Sequence, residues 1–144
     1  MDHQRKEMVH QMITNPDLHR LANTLGVRLV RHNGGPKGFY AHYARTISTR
    51  RGLSIAAYRS TLAHELGHAY YKDEPTDNEH YNRKQERRAD EFAAQLLLDE
   101  DSVKAAMIWH NEHISPAAYE LEVTEHLLKT WLAQHRTLKN AWAA

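Results

Sequence analysis

The sequence predicts an α+β fold: a mostly helical single domain with one small antiparallel sheet. Three observations predict it. Apolar residues recur at helical spacing in several segments, as in Leu18, Leu21, Ala22 and Leu25. One block, from Val27 to Thr49, instead holds short β-branched and aromatic runs around an Asn33-Gly34-Gly35-Pro36 turn signal. The length of 144 residues fits one domain, residues 1–144, able to bury a sizeable core. Its core is expected over about residues 27–98, with C-terminal helices over about residues 101–137.

Taken in order, the first two dozen residues read as helical, with His3, His10 and His19 as surface or partly packed side chains. A break falls at Asn15-Pro16, where Asn can cap and Pro can take the first helical position. Gly26 suits the left-handed residue that ends this helix. Val27–His32 and Gly38–Tyr43 read as two strands joined at the turn, and Thr46–Thr49 as a third. Ser54 caps a helix from Ile55 to about Tyr71, whose stripe Ile55, Tyr58, Leu62, Leu66 and Ala69 is predicted to face the core. Ala57, Thr61, His64, His68 and Tyr71 take the other side. Gly67 in that helix costs about 1 kcal/mol relative to Ala, which suggests a close backbone neighbour there. After the polar loop Lys72–Tyr81, Asn82 is predicted to cap a helix running to about Leu98. Asp101 or Ser102 caps the next, Ser115-Pro116 opens a short one, and Thr124 starts a last one.

Composition narrows the function classes. Lys and Arg total 19 against 18 Asp and Glu, so the balance of +1 demands neither a nucleic acid nor a membrane surface. The clusters Arg45, Arg50, Arg51 and Arg83, Lys84, Arg87, Arg88 read as solvated faces. With no cysteine, disulfides and Cys-based metal sites are excluded. The N-terminus is polar and no run reaches the length of a membrane span, so a soluble cytoplasmic protein is expected.

The chemistry concentrates in Ser60-Thr-Leu-Ala-His64-Glu65-Leu-Gly-His68. Residues four apart lie about 40° apart around a helix, so His64 and His68 can offer their imidazoles to one ion. Glu65, about 100° on from His64, can reach a water at that ion without binding it. Two histidines for zinc and one carboxylate for the water proton make the arrangement of a zinc hydrolase. A His-rich chain could match by chance, and the intervening Glu argues against that.

A catalytic zinc needs a third protein ligand and an open position. Glu86, on the same face of the following helix as Asp90, Ala93 and Leu97, is the best candidate. Asp90, one turn on, could accept a hydrogen bond from the free ring nitrogen of a ligand His. Small Ala89 and Ala93 would let the two helices approach. The competing ligands are Glu79, His80 and the pair His110/His113; the plainer alternative pairs Glu86 and Asp90 with Lys84, Arg87 or Arg88. The oxyanion-stabilising group is left open among Tyr70, Tyr71, Tyr81, His110 and His113.

His64-Glu65-Leu-Gly-His68 followed by Glu86-Arg-Arg-Ala89-Asp90-Glu-Phe92-Ala93-Ala94-Gln-Leu96-Leu97-Leu98 resembles the ImmA/IrrE family of metallopeptidases, within the gluzincins. The resemblance is good over about residues 27–98. It implies His64, His68 and Glu86 as zinc ligands, Glu65 as general base and Asp90 as the partner of His64. One departure is Leu98-Asp99-Glu100, where many relatives continue into Met-Pro; the ligand positions are untouched. The family further implies a regulatory protease, of phage, mobile-element or stress-response type, that cleaves a repressor with a helix-turn-helix domain.

Two other classes compete: a non-catalytic regulator that binds a repressor while zinc only stabilises the fold, and a DNA-binding module. Residues 115–132 have the apolar spacing of a helix-turn-helix. However, Glu122 stands at the usual Gly position and Glu120 and Glu125 flank it, whereas a recognition helix wants basic and amide side chains. Two short helices packed over the core are therefore expected there, without direct nucleic-acid contact. The substrate, cleavage site, activating signal and oligomeric state are not encoded in any motif of this chain.

Overall fold

The computed structural model describes residues 12–143. Within them the chain forms seven helices and one three-stranded sheet, so the mostly helical α+β reading holds. His3 and His10 lie outside the described residues. Helix α1 (Asn15–Thr24) is capped by Thr14, not by Asn15. Thr14 Oγ1 accepts from Asp17 N at 3.3 Å while Asp17 Oδ2 accepts from Thr14 N at 2.9 Å, a reciprocal box that Asn15 could not form one residue later. Gly26, at φ 70°, turns the chain into the sheet.

The strands are β1 (Arg28–His32), β2 (Gly38–Ala41) and β3 (Thr46–Arg50), in the order β1-β3-β2. β2 runs antiparallel to β3 as expected, but β1 pairs with β3 in parallel, so the sheet is mixed rather than antiparallel. The turn after β1 does not close a hairpin, because β3 enters between the two earlier strands. Burial explains the order. Thr46, Ile47, Ser48 and Thr49 are all buried, and that central place leaves the half-exposed β1 and β2 at the edges. The His32 ring secures the arrangement, bonding Ser48 Oγ at 2.6 Å and the Pro36 carbonyl at 2.7 Å. The basic cluster Arg45, Arg50, Arg51 serves local geometry too: its guanidiniums donate to Leu25 O, Gly35 O and Asn33 Oδ1.

Helix α2 (Ile55–Tyr71), capped by Ser54 as predicted, is the centre of the molecule. Leu62, Leu66 and Ala69 of its apolar stripe are buried, whereas Ile55, in the first turn, is exposed. The opposite side is also covered, burying Ser60, Glu65 and His68, so α2 lacks the clean two-faced pattern of a surface helix. Helix α3 (Glu79–Leu97) starts earlier than predicted, because Asn78 is its cap. Asn82 is instead spent on Thr76, accepting from its backbone N at 3.0 Å and donating to its carbonyl at 2.7 Å, which folds the loop ahead of the helix.

The α2–α3 contact is close at Gly67. A Cβ there would stand 3.0 Å from Ala89 Cα, 3.2 Å from Ala89 O and 3.2 Å from Phe92 Cβ. A larger side chain must push α3 outward. We expect Gly67→Val to destabilise the protein by about 1–3 kcal/mol through overpacking, read as a lower urea midpoint at unchanged slope; an unchanged or higher midpoint would refute the close contact.

Four helices complete the chain: α4 (Glu100–Trp109), α5 (Ile114–Glu120), α6 (Glu125–Gln134) and α7 (Arg136–Ala143). The cap of α4 is Asp99, which accepts from Ser102 N at 2.9 Å; Asp101 and Ser102 fall inside the helix. His113, not Ser115, precedes α5, and Thr124 caps α6 as expected. Helix α7 carries the helical part past the expected limit of about residue 137, and Trp142 lies stacked near the buried Trp131. Glu122 takes φ 55° in the α5–α6 turn, the position where Gly is usual, and its carbonyl accepts from Arg59 Nε at 3.3 Å. Arg59, 2% exposed, also donates to Asn15 Oδ1 at 3.0 Å, so one side chain of α2 locks α1 and the α5–α6 turn. Among the described residues no helix is long and apolar enough to cross a membrane.

Candidate metal centre

His64 and His68, one turn apart on α2, point their Nε2 atoms at each other, 3.1 Å apart. Glu86, brought over them by α3, spans the pair: Oε2 lies 2.9 Å from His64 Nε2 and Oε1 3.0 Å from His68 Nε2. One atom each from His64, Glu65 and His68 also falls within a 4.8 Å group. Glu86 sits closer still to the two nitrogens, at 2.9 and 3.0 Å. The alternative in which Glu86 and Asp90 bond to neighbouring Lys or Arg side chains is not what the geometry shows; both carboxylates turn to imidazoles.

The far ring nitrogens are held as well. His64 Nδ1 lies 2.7 Å from Asp90 Oδ1, and His68 Nδ1 lies 2.9 Å from Asp73 Oδ2. Each imidazole therefore donates from Nδ1 to an acid, which makes Nε2 the nitrogen turned to the shared point and the one that can bind an ion once its own proton is lost. Asp73 gets there through the end of α2: Lys72 adopts φ 55°, and Asp73 N donates to His68 O at 2.9 Å. Arg88 then donates to Asp73 Oδ1 at 2.6 Å and lies 4.0 Å above the Tyr71 ring. This explains one member of the second basic cluster.

The charges pull strongly on one another. Burial disfavours the charged form of His64, but hydrogen bonds to Asp90 and Glu86 outweigh it and its pKa is pushed up to about 10. His68 is likewise raised, its burial overcome by Glu86 and Asp73. Hydrogen bonds from the two imidazoles hold Glu86 well below the usual carboxylate range. Glu65 moves the other way: burial raises it, despite the nearby histidines. Among the described residues its Oε2 is buried and has no hydrogen-bond partner. A buried carboxylate oxygen without a partner is costly to keep, and active sites are where such groups persist.

The donor set fits a tetrahedral divalent ion. An ion with bonds of about 2.0–2.1 Å spaces its ligands about 3.3 Å apart. The three spacings here, 2.9, 3.0 and 3.1 Å, need to open by only a few tenths of an ångström. Two cavities meet at this point. One, of about 540 Å³, is walled by Lys37, Thr61, Leu127 and Thr130; the other, of about 330 Å³, by Tyr40, Asp73, Glu74 and Gln85. Gly38, Glu65 and Glu86 line both. Gly38 leaves little room for a side chain there, since a Cβ would come 2.5 Å from Thr61 Cγ2 and 3.3 Å from Ser48 O.

Of the sequence candidates, His64, Glu65, His68, Glu86 and Asp90 are brought together. The rival ligands Glu79, His80, His110 and His113 line neither cavity, and Glu79 and His110 sit 3.9 Å from Arg83 and 3.5 Å from Glu120. Tyr70, Tyr71, Tyr81, His110 and His113 line neither of the cavities that meet at Glu65. Two participants escaped the sequence reading. Asp73 carried a weak signal, an acid just past the end of the motif helix. His126 carried none; it reaches Asp90 Oδ2 at 2.9 Å from 36 residues away.

A sequence profile of the IrrE N-terminal-like domain, a peptidase family, matches residues 22–131. A search of curated proteins found no match to the chain. The matched span runs from α1 into α6 and takes in both the histidine pair and the Glu86–Asp90 helix. By this match over most of its length, the chain belongs to the ImmA/IrrE family of metallopeptidases.

Proposed function

We propose that this chain is a zinc-dependent endopeptidase that acts as a regulator by cutting a repressor-type protein. In this reading His64, His68 and Glu86 hold the zinc, and Glu65 is the general base. The observation that carries it is the Oε2 of Glu65, buried and without a partner among the described residues, at the junction of two cavities. A carboxylate placed only to support the fold would have a donor; one reserved for a water need not. Zinc, when bound, supplies a Lewis acid that polarises the peptide carbonyl and acidifies the attacking water.

The protein groups do the rest. Asp90 and Asp73 fix the two rings so that Nε2 faces inward. Glu65 takes the proton of the water whose oxygen adds to the carbonyl carbon, then delivers it to the amine nitrogen as the C–N bond breaks. Its raised pKa brings it closer to the range in which a carboxylate both accepts and returns a proton. Among the described residues β2 is the sheet edge beside the site and pairs on one side only, with β3. An extended substrate added along its free side would cross Gly38 between the two cavities, with side chains entering each.

The repressor as substrate follows from the family's regulatory character, and the site's chemistry asks only for an extended peptide. The N-terminal end of α6, which a DNA reader would place against base edges, lies at the wall of the larger cavity with Thr124, His126 and Leu127. That supports a peptidase over a DNA-binding module. The deciding experiment incubates the zinc-loaded chain with a helix-turn-helix repressor, taken from a neighbouring reading frame where one encodes it. We expect one or a few defined cuts, stopped by a chelator and restored by added zinc. A stable complex with no cleavage would favour the non-catalytic regulator instead. A salt-sensitive DNA shift by this chain alone would revive the third class.

A further inference from the structure

Asp90 does not serve His64 alone. Its Oδ1 takes His64 Nδ1 at 2.7 Å and its Oδ2 takes His126 Nε2 at 2.9 Å, so one carboxylate stands between two imidazoles. His126 comes from α6, a different element from either half of the metal centre. Its side chain is 73% exposed, so packing does not explain its place. The start of α6 is itself anchored twice. Thr124 caps it through Leu127 N at 3.2 Å, and Thr124 N donates to Ser60 Oγ at 3.0 Å, four residues before His64 on α2. Leu127, Leu128, Trp131 and Leu132 bury the other face of the helix. His126 is thus presented to Asp90 from a fixed mount.

We infer that His126 is a positioning residue for the metal centre, acting through Asp90 on the orientation of His64. The inference rests on the zinc reading of the site. Its physical basis is the carboxylate torsion. A carboxylate with one hydrogen-bonded oxygen rotates about its last bond at little cost, since that torsion is broad and two-fold. With each oxygen engaged by a separate ring N–H, rotation breaks two bonds at once. Oδ1 therefore stays on His64 Nδ1, and His64 Nε2 stays directed at His68 and Glu86. The donor from His126 also satisfies the half of Asp90 that His64 cannot reach, which stops that oxygen from capturing another donor in the cavity.

The test measures zinc affinity of the full chain by competition with a chromophoric chelator. The variants are His126→Ala, His126→Gln, Asp90→Asn and the double variant Asp90→Asn with His126→Ala. Groups that orient ligands change metal affinity by about 10–100-fold. We expect His126→Ala to weaken zinc binding about tenfold, and His126→Gln, whose amide can donate to Asp90, to recover most of that. In the Asp90→Asn background the alanine change adds little, because the relay is already cut. Thermal melting of the metal-free variants shows that each remains folded. Unchanged affinity in His126→Ala, full additivity in the double variant, or equal losses in the Ala and Gln variants would each overturn the inference. A wild-type chain that binds no zinc would instead overturn the proposed function.

Discussion

Glu65→Gln leaves a folded, zinc-loaded protein whose peptide cleavage falls by about 10²–10⁴-fold, the contribution of a positioned general base. The substitution keeps shape and removes the ability to accept the water's proton. Zinc stays because Glu65 is not among the three close donors; those are the two Nε2 atoms and Glu86. Stability is also kept. Burial raises the pKa of Glu65 in the folded state, so its ionised form opposes folding once the pH exceeds the unfolded value. A neutral amide at the same place does not carry that cost. The measurement is a paired one, zinc content by metal analysis and turnover on the cleaved substrate. A variant that keeps zinc and still cleaves would remove Glu65 from the role.

Glu86→Ala has the opposite signature, loss of the metal itself. We expect zinc affinity to drop by about 10³-fold or more, equivalent to about 4 kcal/mol, with cleavage lost in parallel. The fold survives, since the Glu86 side chain is 63% exposed and contributes little packing. Titrations at several pH values sharpen the result. With His64 pushed up to about 10, its ring is protonated in the metal-free protein at neutral pH, and zinc must displace that proton. Affinity should therefore climb with pH until about 10, by about tenfold per unit for each proton released. Glu86 is one of the acids that raise His64, so its removal shifts that dependence to lower pH as well as weakening binding. Stoichiometric zinc in the Glu86→Ala protein at neutral pH would point to another third ligand.

Local spacing made most of this site readable. The i, i+4 relation of His64 and His68, the intervening Glu65 and the i, i+4 relation of Glu86 and Asp90 are properties of single helices. Gly67 could be read as a close approach because glycine in mid-helix is unfavourable without one, and Ala89 meets it across the contact. Caps were less readable. Asn78 and Asn82 are equally good capping types, and the choice depended on the Thr76 loop that engages Asn82. The sheet misled for a similar reason. Gly34-Gly35 is a sound turn signal, yet a turn does not dictate which strand enters beside the first.

From its residues alone, then, this chain declared a mostly helical α+β fold, a histidine pair for a metal with a carboxylate beside it, and the helix that brings a further acid. Each is encoded within about one to five helical turns, where backbone geometry converts spacing directly into a shared face. Other features depend on elements far apart in sequence packing against each other. These are the parallel pairing of β1 with β3, the Asp73 partner of His68, the burial of Glu65 Oε2, and the reach of His126 to Asp90. Such contacts follow from which faces the core buries together, a property of the whole packed chain that no local pattern carries.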